Sequence, residues 1–309
     1  MFNPALGGGS CNALTFTINN PNRPPIAEAG PDQTAECNNP AGTPVTLSGS
    51  GSDPDGDTLS FLWKNAAGNV VGNTAAVNLT LPLGSQTFTL TVDDGKGGTA
   101  SDTVAVTVRD TTPPVLTLAR TSMTVVLPTA TAAGAAASLS GIASATDACC
   151  ATVAITNNAP ALFPIGVTQV TFTATDASGN YSQKQMTVQV VYKFIGFLAP
   201  VPNDGSGVFN AGRTIPLKFQ LAAADGSFIT NATATLQVFK LTDAILGTVE
   251  VPIPPEPSGG SNTGNLFRFD PTSSQYIYNL STTGYTAGTY LLRVTLNDQT
   301  THDVQLSLR

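Results

Sequence analysis

Few residues in this chain are of types that do chemistry near neutral pH, and their spacing narrows what they could do. The 309-residue sequence holds one histidine, His302, so any Ser/His/Asp or Cys/His centre would have to be built on it. It stands two residues before Val304, which opens the final alternating run Val304, Leu306, Leu308. That setting predicts a surface histidine on a terminal strand, not a catalytic base. Paired carboxylates for glycoside chemistry need a cleft and usually aromatic sugar platforms. Aromatic residues are 7% of the chain and mostly fall at strand-core spacing. The expectation is a chain that is not an enzyme.

Two clusters remain. Asp53, Asp55 and Asp57 form a D-x-D-G-D run whose oxygens could converge on a hard cation, with Asp94 (or its neighbour Asp93) joining from a second loop. Calcium is therefore the candidate cofactor. The run lacks the downstream glutamate of an EF-hand loop, and Asx-rich turns also arise from local hydrogen bonding alone. The second cluster is the cysteines, Cys11, Cys37, Cys149 and Cys150, which allow three pairings if all are bonded. The simplest joins Cys11 to Cys37 and Cys149 to Cys150, although a vicinal disulfide is a strained small ring. Alternatively, Cys11 reaches Cys149 or Cys150 of another copy and locks an assembly covalently.

The elements that must position these residues read as strands. In Thr43 to Trp63, Val45 and Leu47 alternate with polar neighbours, and Leu59, Phe61 and Trp63 follow at spacing two. Trp63 is the only tryptophan, the expected core plug of a β-sandwich. The same grammar continues in Phe88, Leu90, Val92; Val104, Val106, Val108; Val170, Phe172, Ala174; Met186, Val188, Val190; and Ile215, Leu217, Phe219, Leu221. Charged residues are only 11%, so the surface is largely neutral and polar. A net charge of -7 and a pI near 4.5 argue against nucleic acid. No apolar run is long enough to span a bilayer. The N-terminus shows no basic or apolar signal region, and four cysteines in an acidic, Thr-rich chain fit an oxidising compartment. The expectation is a secreted or cell-surface protein.

Residues 1–24 differ from the rest. Gly7, Gly8 and Gly9 lead, Pro21 to Pro25 form a stiff linker, and between them Leu14, Phe16 and Ile18 alternate with threonines. A lone apolar strand needs a sheet edge to join, either in its own first domain or in a neighbouring molecule by strand donation.

Three resemblances cover nearly all of the chain after residue 24. PPIAEAGPDQTAEC, VTLSGSGSDPDGDTLSFLW and FTLTVDDGKGGTASDTVAVTV in residues 25–110 resemble a bacterial polycystic-kidney-disease (PKD) type domain, with LWKNAAGN where that family often carries WDFGDG. ATDACC and FPIGVTQVTFTATDASGNYSQKQMTVQVV in residues 111–192 resemble a hyalin-repeat (HYR) domain. TIPLKFQL in residues 193–309, with Pro216 to Phe219, resembles the C-terminal module of bacterial secreted proteins named for its Pro-x-Lys-Phe motif. The first two resemblances imply Ig-like extracellular spacer or adhesion modules, and the third a β-sandwich without known catalysis.

The reading is an all-β chain of three tandem Ig-like antiparallel β-sandwiches with an N-terminal extension strand. Its expected job is that of a non-enzymatic extracellular structural protein, a fibre subunit that polymerises with itself when Leu14, Phe16 and Ile18 dock into the next copy. Head-to-tail contacts of this kind do not close, so they propagate. The competing expectation is an adhesion or polysaccharide-binding accessory module of a larger secreted protein. The third unit ends at Arg309 with no anchor or sorting motif, which favours the first.

Overall fold

The computed structural model describes residues 21–244 and 247–309, and leaves undescribed the side chains of residues 243–249 and 261. Cys11, Leu14, Phe16 and Ile18 lie outside the described residues. The fold is all β, with no α-helix among the described residues. By compactness the chain divides in two: residues up to Thr112 with Ala148–Ala151, and Pro113–Asp147 with Thr152–Arg309.

Among the described residues the first unit is an Ig-like sandwich of nine strands: β1 (Ile26–Glu28), β2 (Gln33–Glu36), β3 (Thr43–Ser48), β4 (Ser50–Ser52), β5 (Ser60–Asn65), β6 (Val70–Gly72), β7 (Ala76–Leu81), β8 (Gly84–Asp93) and β9 (Thr99–Arg109). One layer runs β2-β9-β8-β5-β6, with β2 parallel to β9. The other holds the antiparallel pairs β1-β4 and β3-β7. Side chains at period two supply the core, so Leu47, Trp63, Leu90, Val92, Val104 and Val106 are all fully buried. The sequence interrupts β3 and β4 with Gly49 for a packing reason. A Cβ there would stand 2.5 Å from Leu90 Cδ2 and 2.7 Å from Trp63 Cζ2.

In the second unit, residues 113–192 contribute β10 (Val115–Leu118), β11 (Ser122–Val126), β12 (Gly134–Ala135), β13 (Ala143–Thr146), β14 (Ala154–Asn157), β15 (Phe163–Pro164), β16 (Gly166–Thr175) and β17 (Tyr181–Val191). The main sheet is β11-β17-β16-β14, faced by the pairs β10-β13 and β12-β15. The remainder adds β18 (Lys193–Leu198), β19 (Gly207–Phe209), β20 (Thr214–Ala222), β21 (Ala234–Ala244), β22 (Gly247–Ile253), β23 (Glu256–Pro257), β24 (Arg268–Asp270), β25 (Gln275–Ser281), β26 (Gly288–Leu296) and β27 (Thr301–Leu308). They form two five-stranded sheets, β18-β20-β25-β23 with β24 also on β25, and β19-β27-β26-β21-β22.

One apolar cluster runs from Leu116 to Leu308 through this unit. Asp298, fully buried, ties its parts together. Its Oδ2 accepts the Tyr192 N–H at 2.7 Å and its carbonyl accepts Gln189 Nε2 at 3.0 Å, while Oδ1 accepts the Thr300 N–H and hydroxyl at 2.9 and 2.6 Å. A buried carboxylate is tolerable only when donors surround it this way.

Candidate functional site

The turn after β4 is organised by Asp53. Its Oδ1 accepts the N–H groups of Asp55 at 2.7 Å and Asp57 at 3.2 Å, the Asx-turn geometry that this residue pattern favours. Asp53 Oδ2 is buried with no hydrogen-bond partner among the described residues. The turn between β8 and β9 is built similarly on Asp94, whose Oδ1 accepts the N–H groups of Lys96 at 2.7 Å and Gly98 at 3.0 Å.

What fills the outer face of these turns is the root of the N-terminal arm. Arg23 donates to Asp55 from its backbone N–H (2.8 Å, Oδ2), Nε (3.0 Å, Oδ1) and Nη2 (2.8 Å, Oδ1), and Nη2 also reaches Pro54 O at 2.5 Å. Asn22 Nδ2 donates to Asp94 Oδ2 at 2.7 Å. The Arg23 bonds hold the Asp55 carboxyl below its ordinary range, and the Asn22 bond does the same for Asp94. Asp55, one of the carboxylates that the sequence offered to calcium, thus has the Arg23 guanidinium of its own chain against it. The linker Pro21 to Pro25 is a clamp as well as a spacer. The sequence carried no signal for this pairing, since Glu28, Asp32 and Glu36 all lie nearer to Arg23 than Asp55 does.

At the opposite end of this sandwich stands a disulfide. Cys37 and Cys149, 112 residues apart, are bonded and both are buried. The vicinal ring that would have been the simplest sequence pairing is therefore not formed. Cys150, next in the chain, donates its thiol to Asp110 Oδ2 at 3.7 Å. Beside the bridge Glu36 accepts the Thr111 N–H at 2.7 Å and both the Thr111 and Thr112 hydroxyls, at 2.9 and 3.0 Å. Those bonds lower its pKa.

Between the two ends, one flank of the sandwich is open. Among the described residues β7 pairs only with β3, and β6 only with β5. The two layers touch where Gly72 meets Val77, since a Cβ on Gly72 would collide with the Val77 side chain. Beyond that contact a groove of about 540 Å³ opens along β7, floored by Val71, Leu79, Leu81 and Phe88. Leu79 and Val71 are half-buried against the core.

His302 is not on an open surface. Its ring stacks on Phe194 with centroids 3.8 Å apart and planes 7° apart, and Nε2 lies 3.1 Å from the Thr300 hydroxyl. Burial holds its pKa below the ordinary histidine value despite nearby Asp298 and Asp303. An aromatic stack and one hydroxyl give this ring a packing role.

Residues 29–108 match the family model described as the K319L-like PKD domain, and residues 109–190 match that of the HYR domain. Over 120 residues the chain is 37% identical to the Dyslexia-associated protein KIAA0319-like protein of Mus musculus, covering 36% of this chain and 11% of that protein. It is 38% identical over 120 residues to Hyalin of Strongylocentrotus purpuratus, covering 36% of this chain and 9% of Hyalin. The chain thus spans about a tenth of the length of these curated relatives. Among solved structures, mouse cadherin-23 EC22-24 is similar with a TM-score of 0.33 and 14% identity, over 94% of this chain and 99% of that one. No helix among the described residues is long and apolar enough to cross a membrane. The sequence matches fit an extracellular module of the adhesion type, and they place in this chain a PKD-like domain followed by an HYR domain.

Proposed function

We propose that this chain is a non-enzymatic extracellular structural protein that polymerises head to tail, each copy donating the strand around Leu14, Phe16 and Ile18 to the next. The observation that carries the reading is the clamp at the arm root. Arg23 and Asn22 fix the point where the arm leaves the sandwich, and the next residues enter β1, paired to β4. Load on the arm is therefore delivered into a charge-assisted contact, in which two guanidinium N–H groups and the backbone N–H of Arg23 all bond Asp55, and into a strand pair, not into a free linker. The buried Cys37–Cys149 bridge at the other end suits the oxidising surroundings in which such a fibre would work. The donated segment NALTFTINN carries no charge, so its burial in a neighbour leaves no ion to desolvate.

The test is negative-stain electron microscopy of the full chain beside a variant lacking residues 1–20. Fibres from the first and single particles from the second are expected. Fibres from both discard the arm as the joint. Single particles from both, in oxidising buffer with calcium, refute the polymer, and retention of the chain on surface polysaccharide would then identify an adhesion module.

A further inference from the structure

In the HYR sandwich, strand β14 forms one end of the sheet β11-β17-β16-β14. The register sets Thr156 beside Thr173, and Thr173 beside Gln183. Alternation sends Phe172 and Ala174 into the core and leaves Thr171 and Thr173 on the outer face. There Thr156, Asn157, Asn158, Thr171, Thr173 and Gln183 line a groove of about 440 Å³.

That lining restricts what the groove can hold. None of the six side chains ionises, so a charged ligand finds no counter-charge in it. None is apolar, so an aliphatic ligand gains little by burial there. Each hydroxyl both donates and accepts, and each side-chain amide donates two hydrogen bonds and accepts two. A matching ligand presents donors and acceptors side by side and carries no charge, as the hydroxyls of a neutral sugar do. The groove near β27 is different in kind, since Asp204, Glu250 and Asp303 lie in its lining.

The polar groups are also set in advance. Gln183 Nε2 donates to the Thr173 hydroxyl at 3.0 Å, Asn158 Oδ1 accepts the Thr171 N–H at 2.8 Å, and Asn157 Oδ1 accepts the Ala159 N–H at 3.1 Å. Side chains already held this way lose little rotamer freedom when a ligand arrives. The Nδ2 groups of both asparagines and Gln183 Oε1 remain to meet it.

A second observation is independent of the groove. Tyr181 is 61% exposed, whereas Tyr192, Tyr276, Tyr278 and Tyr290 are buried. It stands two residues before Gln183 on β17, opposite Thr175, and so shares the outer face about 7 Å along the strand. An aromatic face left in water beside amides and hydroxyls suits the C–H face of a sugar ring, whose hydroxyl rim then meets the groove. A polar peptide would make similar hydrogen bonds, but the exposed ring favours the sugar.

We propose that the outer face of β14, β16 and β17 binds a neutral polysaccharide. Tyr181 stacks on one sugar ring, and Gln183, Thr173 and Asn158 hydrogen-bond the hydroxyls of the next. The site lies within the HYR sandwich and does not rest on strand donation.

The full chain, captured on a biosensor surface, is exposed to soluble mixed-linkage glucan, mannan and arabinoxylan, with polygalacturonate as an anionic control. At least one neutral polymer should bind, and polygalacturonate should not. Tyr181→Ala and Gln183→Ala should each weaken that binding at least about fivefold, as loss of an aromatic or hydrogen-bonding anchor does. Tyr181→Phe keeps the ring and should bind as the parent does. So should Gln305→Ala, an exposed change in the acidic groove near β27. Binding of none of the three neutral polymers overturns the sugar and leaves the polar peptide. Binding that neither Tyr181→Ala nor Gln183→Ala weakens, or that Gln305→Ala weakens equally, overturns the site. Loss in Gln183→Ala without loss in Tyr181→Ala overturns the stacking platform. Microscopy of fibres judges strand donation separately, so the two readings fail independently.

Discussion

Replacing the Cys37–Cys149 bridge with alanines should lower the melting temperature of the first unit far more than that of the second. The bridge closes a separation of 112 residues. A loop of that length loses about 16 cal/mol/K of unfolded-chain entropy when closed, or about 4.8 kcal/mol at 25 °C. That is a ceiling, since natural bridges typically contribute about 2–4 kcal/mol. In a domain of this size 1 kcal/mol moves the midpoint by about 4–8 °C, so the expected fall is about 8–32 °C. Differential scanning calorimetry of the Cys37→Ala/Cys149→Ala variant, beside the parent chain with and without reductant, reads it directly. The second unit has its own core, from Leu116 to Leu308, and provides the internal reference. A shift below about 4 °C in the first-unit transition, with the bridge verified as formed in the parent, would mean that the 112-residue closure contributes less than about 1 kcal/mol and would refute the argument.

Other perturbations probe the remaining structure. Tyr276→Phe deletes a buried hydroxyl that accepts the Ala232 N–H at 2.9 Å and donates to Ile229 O at 3.2 Å, and should cost about 1–3 kcal/mol, read as a lower denaturant midpoint with unchanged slope. Burial raises the Tyr276 and Tyr278 phenols to about 12, above their value of 10.0 in the unfolded chain. Their contribution is complete below the unfolded value and is lost as pH rises through the folded one, so alkaline melting curves should fall there, less steeply for Tyr276→Phe. His302 shifts the other way. Its folded pKa lies below 6.5, so its share of stability is complete above that value and is lost as pH falls through the folded one. The melting temperature of the second unit should decline in that window in the parent, and His302→Gln should remove that part of the slope. Gly49→Ala places a methyl against Leu90 and Trp63 and should destabilise the first unit by about 1–3 kcal/mol, measured by urea unfolding.

The strands and their inward faces were legible from the sequence because period-two alternation is written within a few consecutive residues. Leu47, Trp63, Leu90, Val104, Phe172, Phe219 and Leu306 stand in the core where that pattern placed them. The turns were equally local, since Asp53 binds N–H groups two and four residues ahead. Pairings across long separations were not legible. The alternation of β7 says which side chains face inward, but nothing in it says that one edge has no strand partner among the described residues. Nor does it say that β2 runs parallel to β9. The cysteine count left three pairings open, and the sheet order brought Cys37 to Cys149 and not Cys149 to its neighbour. Arg23 and Asp55 stand 32 residues apart and meet because β1 pairs with β4. His302 looked exposed on its own strand, and Phe194 from a different sheet covers it. Sequence alone determined the class of fold, the core positions and the turns, all of which depend on side-chain direction within one element. Tertiary structure decided the bridge, the clamp and the open groove, because each depends on which distant strands the sheets set side by side.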